Sequence, residues 1–246
     1  MLCNKPKLNR RKTELLILSA WHLQPSPIEC VDVSGEQINP SPSARNTGDI
    51  LNEYMSLAKS VTSTCKACFF HLTNISKIRD YLSPADTEKL VHTFIKSKLD
   101  NANSLLHGLP KFLIDHLQNV QNAAARVITH TRKYDHNKLV LKQLHCLPVS
   151  QHIGYKILLL TYKALNSQAP CYITELLGPL VPTRSLRSSS KNLLNVPVKL
   201  VRYGHRCFSF VAPSLWNSLP DDIRQSSLLL EFKTHVKTHL FINVLI

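Results

Sequence analysis

Residues 110–166 read PKFLIDHLQNVQNAAARVITHTRKYDHNKLVLKQLHCLPVSQHIGYKILLLTYKALN. Pro110 opens the stretch with a φ already set for a first helical turn. Leu113, Leu117, Val120, Ala124 and Val127 follow at alternating steps of four and three, which lines one side of a helix with apolar groups. Asn119, Asn122 and Arg126 fall on a separate polar stripe. A basic break, Thr131-Arg132-Lys133-Tyr134-Asp135-His136, separates this helix from a shorter one over residues 138–144. Pro148 and Ser150 start a third helix, in which Ile153, Ile157, Leu160 and Ala164 point one way. Its opposite stripe carries His152, Lys156 and Lys163. Three helices with one apolar face each must pack together, and their polar sides here are basic.

Several runs in this stretch resemble the C-terminal part of a reverse transcriptase from the non-LTR retrotransposons, the jockey-like LINE elements of animals. They are Val120-Gln121-Asn122-Ala123-Ala124-Ala125-Arg126, Tyr134-Asp135-His136 and Leu144-His145-Cys146-Leu147-Pro148-Val149. The likeness continues through residues 156–166 and Ala169-Pro170-Cys171-Tyr172-Ile173, and it is colinear over nearly the whole chain. It implies the end of a polymerase palm at residues 1–52, a helical thumb and following bundle at 53–166, and a basic C-terminal domain at 167–246. A thumb grips the template–primer duplex through its backbone, which suits a bundle with basic outer faces.

The chain has 246 residues, enough for one large or two small domains. Its net charge of +14 favours a polyanion such as RNA or DNA as partner. Seven cysteines at irregular spacings, with no secretory leader ahead of them, fit a reducing, intracellular compartment. No apolar run approaches the ~18–20 residues needed to span a bilayer.

At the N-terminus, residues 12–18 read as a strand, and residues 30–33 and 36–38 as a hairpin around Ser34-Gly35. By resemblance, Leu8-Asn9 and Lys12-Thr13-Glu14 match polymerase motif D, which would put Lys12 near the departing pyrophosphate. Arg10-Arg11 depart from that motif, and an exposed Lys12 on an edge strand is the competing reading. Residues 45–51 resemble the primer-grip hairpin, with polar Thr47 and Asp49 where the family has apolar residues. A polar group turned inward costs about 1–3 kcal/mol unless paired, so this hairpin reads as degraded.

Polymerase chemistry needs carboxylates that hold two metal ions over the primer end. The resemblance implies an aspartate pair just upstream of motif D, yet few residues precede Leu8 and none is acidic. Asp221-Asp222, between Pro220 and Ile223-Arg224, reads instead as a helix start, where acids suit the dipole. The expectation is a fragment without the catalytic palm and without polymerase activity.

Residues 56–79 read as a long helix with Val61, Cys65, Cys68, Leu72 and Ile75 on its apolar stripe. That stripe favours a core role for Cys65-Lys66-Ala67-Cys68 over zinc, since one CxxC lacks half of a tetrahedral site. Ser83-Pro84-Ala85-Asp86 starts the next helix, whose buried face is expected at Leu90, Val91, Phe94 and Ile95. Past Asn166, residues 170–177 read as a short helix, and residues 196–198 and 200–201 as short strands. Arg184, Arg187, Lys191, Lys199, Arg202 and Arg206 follow one another with no acid between Glu175 and Asp221. Tyr203-Gly204-His205-Arg206 and residues 212–220 again match the family. Phe208, Phe210, Leu215 and Trp216 are candidate anchors, and Phe232, Val236 and Leu240 mark a last amphipathic helix.

The sequence thus reads as a mainly α protein with a small β remnant and a mixed basic C-terminal region. Its expected activity is binding of the RNA or DNA backbone without synthesis, with no metal, cofactor or small-molecule substrate. The candidate contacts are Arg126, Lys156, Lys163, Arg184, Arg187, Lys191, Lys199, Arg202 and Arg206. Two other classes stay open: an inert relic of a decayed element, and a helical interaction protein domesticated from it.

Overall fold

The computed structural model describes residues 13–19, 28–33, 35–132, 137–180, 192–198 and 204–245. Their architecture is mainly α, as the periodicities predict, with two small antiparallel sheets before the helices. The chain divides into two compact units, Met1–Thr64 and Cys65–Ile246.

In the first unit, β1 (Val31–Val33) pairs antiparallel with β2 (Glu36–Ile38). The Gly35 N–H donates to Asp32 Oδ1 at 2.8 Å and closes the turn. β3 (Ser43–Asn46) and β4 (Asp49–Asn52) make a second hairpin. Its two-residue loop, Thr47-Gly48, has φ of 48° and 99°, the primed geometry that matches strand twist. The hairpin is intact, contrary to the expectation from its polar residues. Thr47 lies in the exposed loop and Asp49 Oδ1 accepts from Ser60 Oγ at 2.7 Å, so neither is buried unpaired. The strand expected over residues 12–18 is reduced, among the described residues, to one parallel bridge from Leu15 to Pro40. Proline has no N–H with which to extend a ladder, and the neighbouring Glu14 carboxylate accepts the Arg45 N–H at 3.0 Å. Lys12 lies outside the described residues.

α1 (Ala58–Ile78) runs through the division into the second unit. α2 (Pro84–Val91) starts as read: Ser83 Oγ accepts the Asp86 N–H at 3.1 Å. A π turn, His92–Lys96, leads into α3 (Ser97–Asp100). Val91 and Ile95 are buried, but Phe94 faces solvent, against expectation. The π turn is the cause. Its wider winding brings the fourth residue after Val91 into line and swings the third off the apolar face.

α4 (Lys111–Thr129), α5 (Asn137–Gln143) and α6 (Val149–Leu165) are the three helices of the deciding stretch. α4 buries Leu113, Leu117, Val120 and Ala124. With Ala124 and Val120 it closes one core over Cys68, Leu72, Ile75, Val91 and Ile95. Ala125 meets Val140 and Leu141 of α5 in a second, smaller core. Two glutamines of α4 fasten the start of α6. Gln118 Oε1 accepts the Val149 N–H at 2.9 Å, and Gln121 Nε2 donates to the Leu147 carbonyl at 2.8 Å.

The C-terminal part is α7 (Cys171–Thr174), α8 (Phe208–Ser218), α9 (Asp221–Arg224) and α10 (Leu229–Leu245). Trp216, Phe232 and Val236 pack on Leu158 and Tyr162 of α6. The Phe232 ring stacks on Tyr162 at 4.2 Å and lies 5.7 Å from Trp216. Trp216 is the anchor here, while Phe208 and Phe210 are half-buried. Residues 196–198 form no strand; Leu194 makes a single bridge to Pro179, and Asn217 clamps the Leu194 peptide from both sides at 2.8 and 2.9 Å. Residues 200–201 lie outside the described residues.

Candidate nucleic-acid interface

The basic residues singled out from sequence are placed unevenly. Arg126 sits on α4, half-buried, with its Nε enclosed and without a hydrogen-bond partner among the described residues. Lys156 and Lys163 sit half-buried on α6, the helix packed against α4. Lys163 is in the last turn of α6, where a cation complements the helix dipole. Arg206 lies over Gly108: a Cβ there would approach the Arg206 Cγ to 2.8 Å. Its Nη2 reaches the Leu105 carbonyl at 3.5 Å. The Arg206 stem is therefore a packing element as well as a charge. Arg184, Arg187, Lys191, Lys199 and Arg202 lie outside the described residues.

A second group of basic side chains lies on α1 and α3. Within the α1 sequence there is no aspartate or glutamate, and none between Glu53 and Asp80. Lys66 and Lys77 are exposed on α1, and Lys98 is exposed on α3. None of the three enters an ion pair among the described residues. Between them lie aromatic rings. His71 stacks on Phe94 with centroids 5.1 Å apart and planes 24° apart. Phe70 meets the His71 ring edge-on at 5.5 Å. Phe70 is 64% exposed and Phe94 41%. One signal in the sequence pointed here. The stripe Val61, Cys65, Cys68, Leu72, Ile75 already claims the buried side, which leaves Phe69 and Phe70 outside it.

The same geometry decides the CxxC. Cys68 is fully buried in the core of the second unit, and burial pushes its thiol up to about 11. His71 stacks on Phe94. Among the described residues no group of histidine, cysteine and carboxylate side chains has the arrangement to hold a metal ion. Asp221 begins α9, as read, and is engaged by Arg224 Nη2 at 3.2 Å and Gln225 Nε2 at 3.0 Å.

A cavity of about 190 Å³ lies beside α4, floored by Ile95, Leu99, Ala124 and Leu141. At its polar edge His152 Nδ1 sits 2.9 Å from Asp100 Oδ1. Burial alone would raise the Asp100 pKa, but the hydrogen bond and charge of His152, with Lys156 and Lys96, outweigh it and hold the carboxyl low. Thus the polar stripe of α6 is partly committed to a contact with Asp100, which its spacing alone does not reveal. Burial, with the Arg206 charge beside it, lowers the His107 pKa. No helix among the described residues is long and apolar enough to cross a membrane.

No protein-family model, curated protein or solved structure matches this chain.

Proposed function

We propose that the chain is a nucleic-acid-binding helical module, the thumb and basic C-terminal part of a reverse transcriptase of the non-LTR type, without polymerase activity. The observation that carries this reading is the segregation of charge. From His116 to Pro220 the only acids are Asp135 and Glu175, against Arg126 on α4, the lysines of α5 and α6 and six basic residues from Arg184 to Arg206, so the positive charge of this stretch has few acids beside it in sequence. Such a field draws a polyanion and positions it by phosphate contact rather than by base identity. The colinear resemblance supports the polymerase origin. What supports the lack of synthesis is that the one adjacent carboxylate pair in residues 1–246, Asp221-Asp222, has Asp221 engaged at the start of α9.

Primer extension tests the enzymatic half of the reading. Purified protein with a primed RNA template, deoxynucleotides and Mg²⁺ or Mn²⁺ gives no incorporation above a no-protein control. Template-dependent extension overturns it.

A further inference from the structure

We propose that the exposed ring cluster of Phe70, His71 and Phe94 is a stacking platform for unpaired bases of single-stranded nucleic acid. This rests on the nucleic-acid reading above and adds to it a named site and a strandedness.

Three observations carry the proposal. The rings are already arranged as a stack, with His71 flat on Phe94 at 5.1 Å and Phe70 set against the His71 edge at 5.5 Å. The outer faces of Phe70 and Phe94 are open to solvent, at 64% and 41% exposure, although the helix has a separate apolar stripe that is fully used in the core. Exposed aromatic rings that touch one another, as here, form a contiguous apolar patch of the kind that marks a contact surface. Exposed lysines near the rings in sequence favour a phosphate backbone. Lys66 lies one helical turn before Phe70, Lys77 two turns after it, and Lys98 one turn after Phe94. Lys98 is also close enough to α1 for its charge to act on Cys68. Of the acids on α2, Asp86 is engaged by Lys89 at 3.0 Å, and Glu88 lies 3.5 Å from His92. Aromatic rings interleaved with lysines are the chemistry that holds single strands: each base offers a π-face, and the backbone tracks the cations. A duplex hides those faces in its own stack. The platform therefore selects unpaired over paired strands.

Fluorescence anisotropy of the full chain with a labelled mixed-sequence 12-nucleotide RNA, and with the same RNA as a blunt duplex, tests the proposal. Both rings are exposed, so the F70A/F94A double variant should keep its fold, which circular dichroism verifies. The double variant is expected to bind the single strand roughly 5- to 150-fold more weakly, with its salt dependence and its duplex affinity unchanged. F70W/F94W is expected to retain single-strand affinity. Single-strand binding that F70A/F94A leaves intact refutes the platform alone. An equal loss on the duplex also refutes it. A wild-type dimer in sedimentation that F70A/F94A dissociates makes the face a self-association surface and refutes it too. Failure of the wild-type chain to bind either probe refutes the broader nucleic-acid reading together with it.

Discussion

Replacing Phe232 by alanine tests whether the C-terminal helices are truly part of the fold built on α6. Phe232 is 1% exposed, and its ring stacks on Tyr162 at 4.2 Å and contacts Trp216 at 5.7 Å. Truncating a buried phenylalanine removes its transfer free energy and leaves a cavity, together about 3–5 kcal/mol. The neighbours here are poorly able to close the gap. Trp216 is held by its Nε1 donating to the Asn192 carbonyl at 2.9 Å, and Tyr162 by its hydroxyl donating to the Ser226 carbonyl at 3.1 Å. The upper half of the range, about 4–5 kcal/mol, is therefore expected. Against a total stability of about 5–15 kcal/mol, that is a large fraction. With a urea slope of ~2 kcal/mol per molar, the unfolding midpoint falls by about 2 M. Urea titration followed by circular dichroism, and by Trp216 emission in a W21F background, measures it. A loss below about 1 kcal/mol, with Trp216 emission unchanged, refutes the packing described here.

Three further outcomes are expected. Cys30 and Cys171, both exposed, react with a thiol reagent in the native protein, whereas Cys68, buried and with its thiol pushed up to about 11, reacts only after unfolding; rapid native labelling of Cys68 contradicts this. Ser83→Ala removes the cap on the Asp86 N–H and destabilises the second unit by about 1 kcal/mol, read as a midpoint shift in the same titration. Asp100 has a folded pKa below its ordinary 3.8, so the stability it contributes is present above that value and is lost as pH falls through the lowered one. D100N removes this acid-side dependence, and an acid-unfolding curve identical to the wild type contradicts it.

The helices were largely legible in the sequence because their apolar residues recur at helical spacing and their starts carry Pro or Ser caps. Pro110, Ser83-Pro84 and Pro148 each mark a start to within a residue or two. What escaped depends on partners distant in sequence or on backbone irregularity. Phe94 reads as core in the sequence because nothing in residues 92–96 announces a π turn. The amides of Gln118 and Gln121 fasten the start of α6 from 31 and 26 positions away, a link that spacing along α4 does not show. The hairpin at residues 43–52 looked compromised because its polar residues were weighed without Ser60, which pairs Asp49. The candidate site was half visible. Charge along the chain is plain, but whether a lysine or arginine faces solvent, an ion pair or a glycine, as Arg206 faces Gly108, is a matter of packing.

The central claim is that this chain holds nucleic acid through its acid-poor basic surface, and a salt titration of binding tests it most directly. Each phosphate contact lowers log K by roughly 0.7–0.9 per decade of salt. If about four of the basic residues at 184–206 engage phosphates, the slope is about −3, with little preference among sequences. Replacing Arg184, Arg187, Lys191 and Arg202 by alanine, and sparing Arg206 for its packing role on Gly108, flattens the slope and weakens all sequences alike. A binding constant insensitive to salt, or a slope that the four substitutions leave unchanged, contradicts the account.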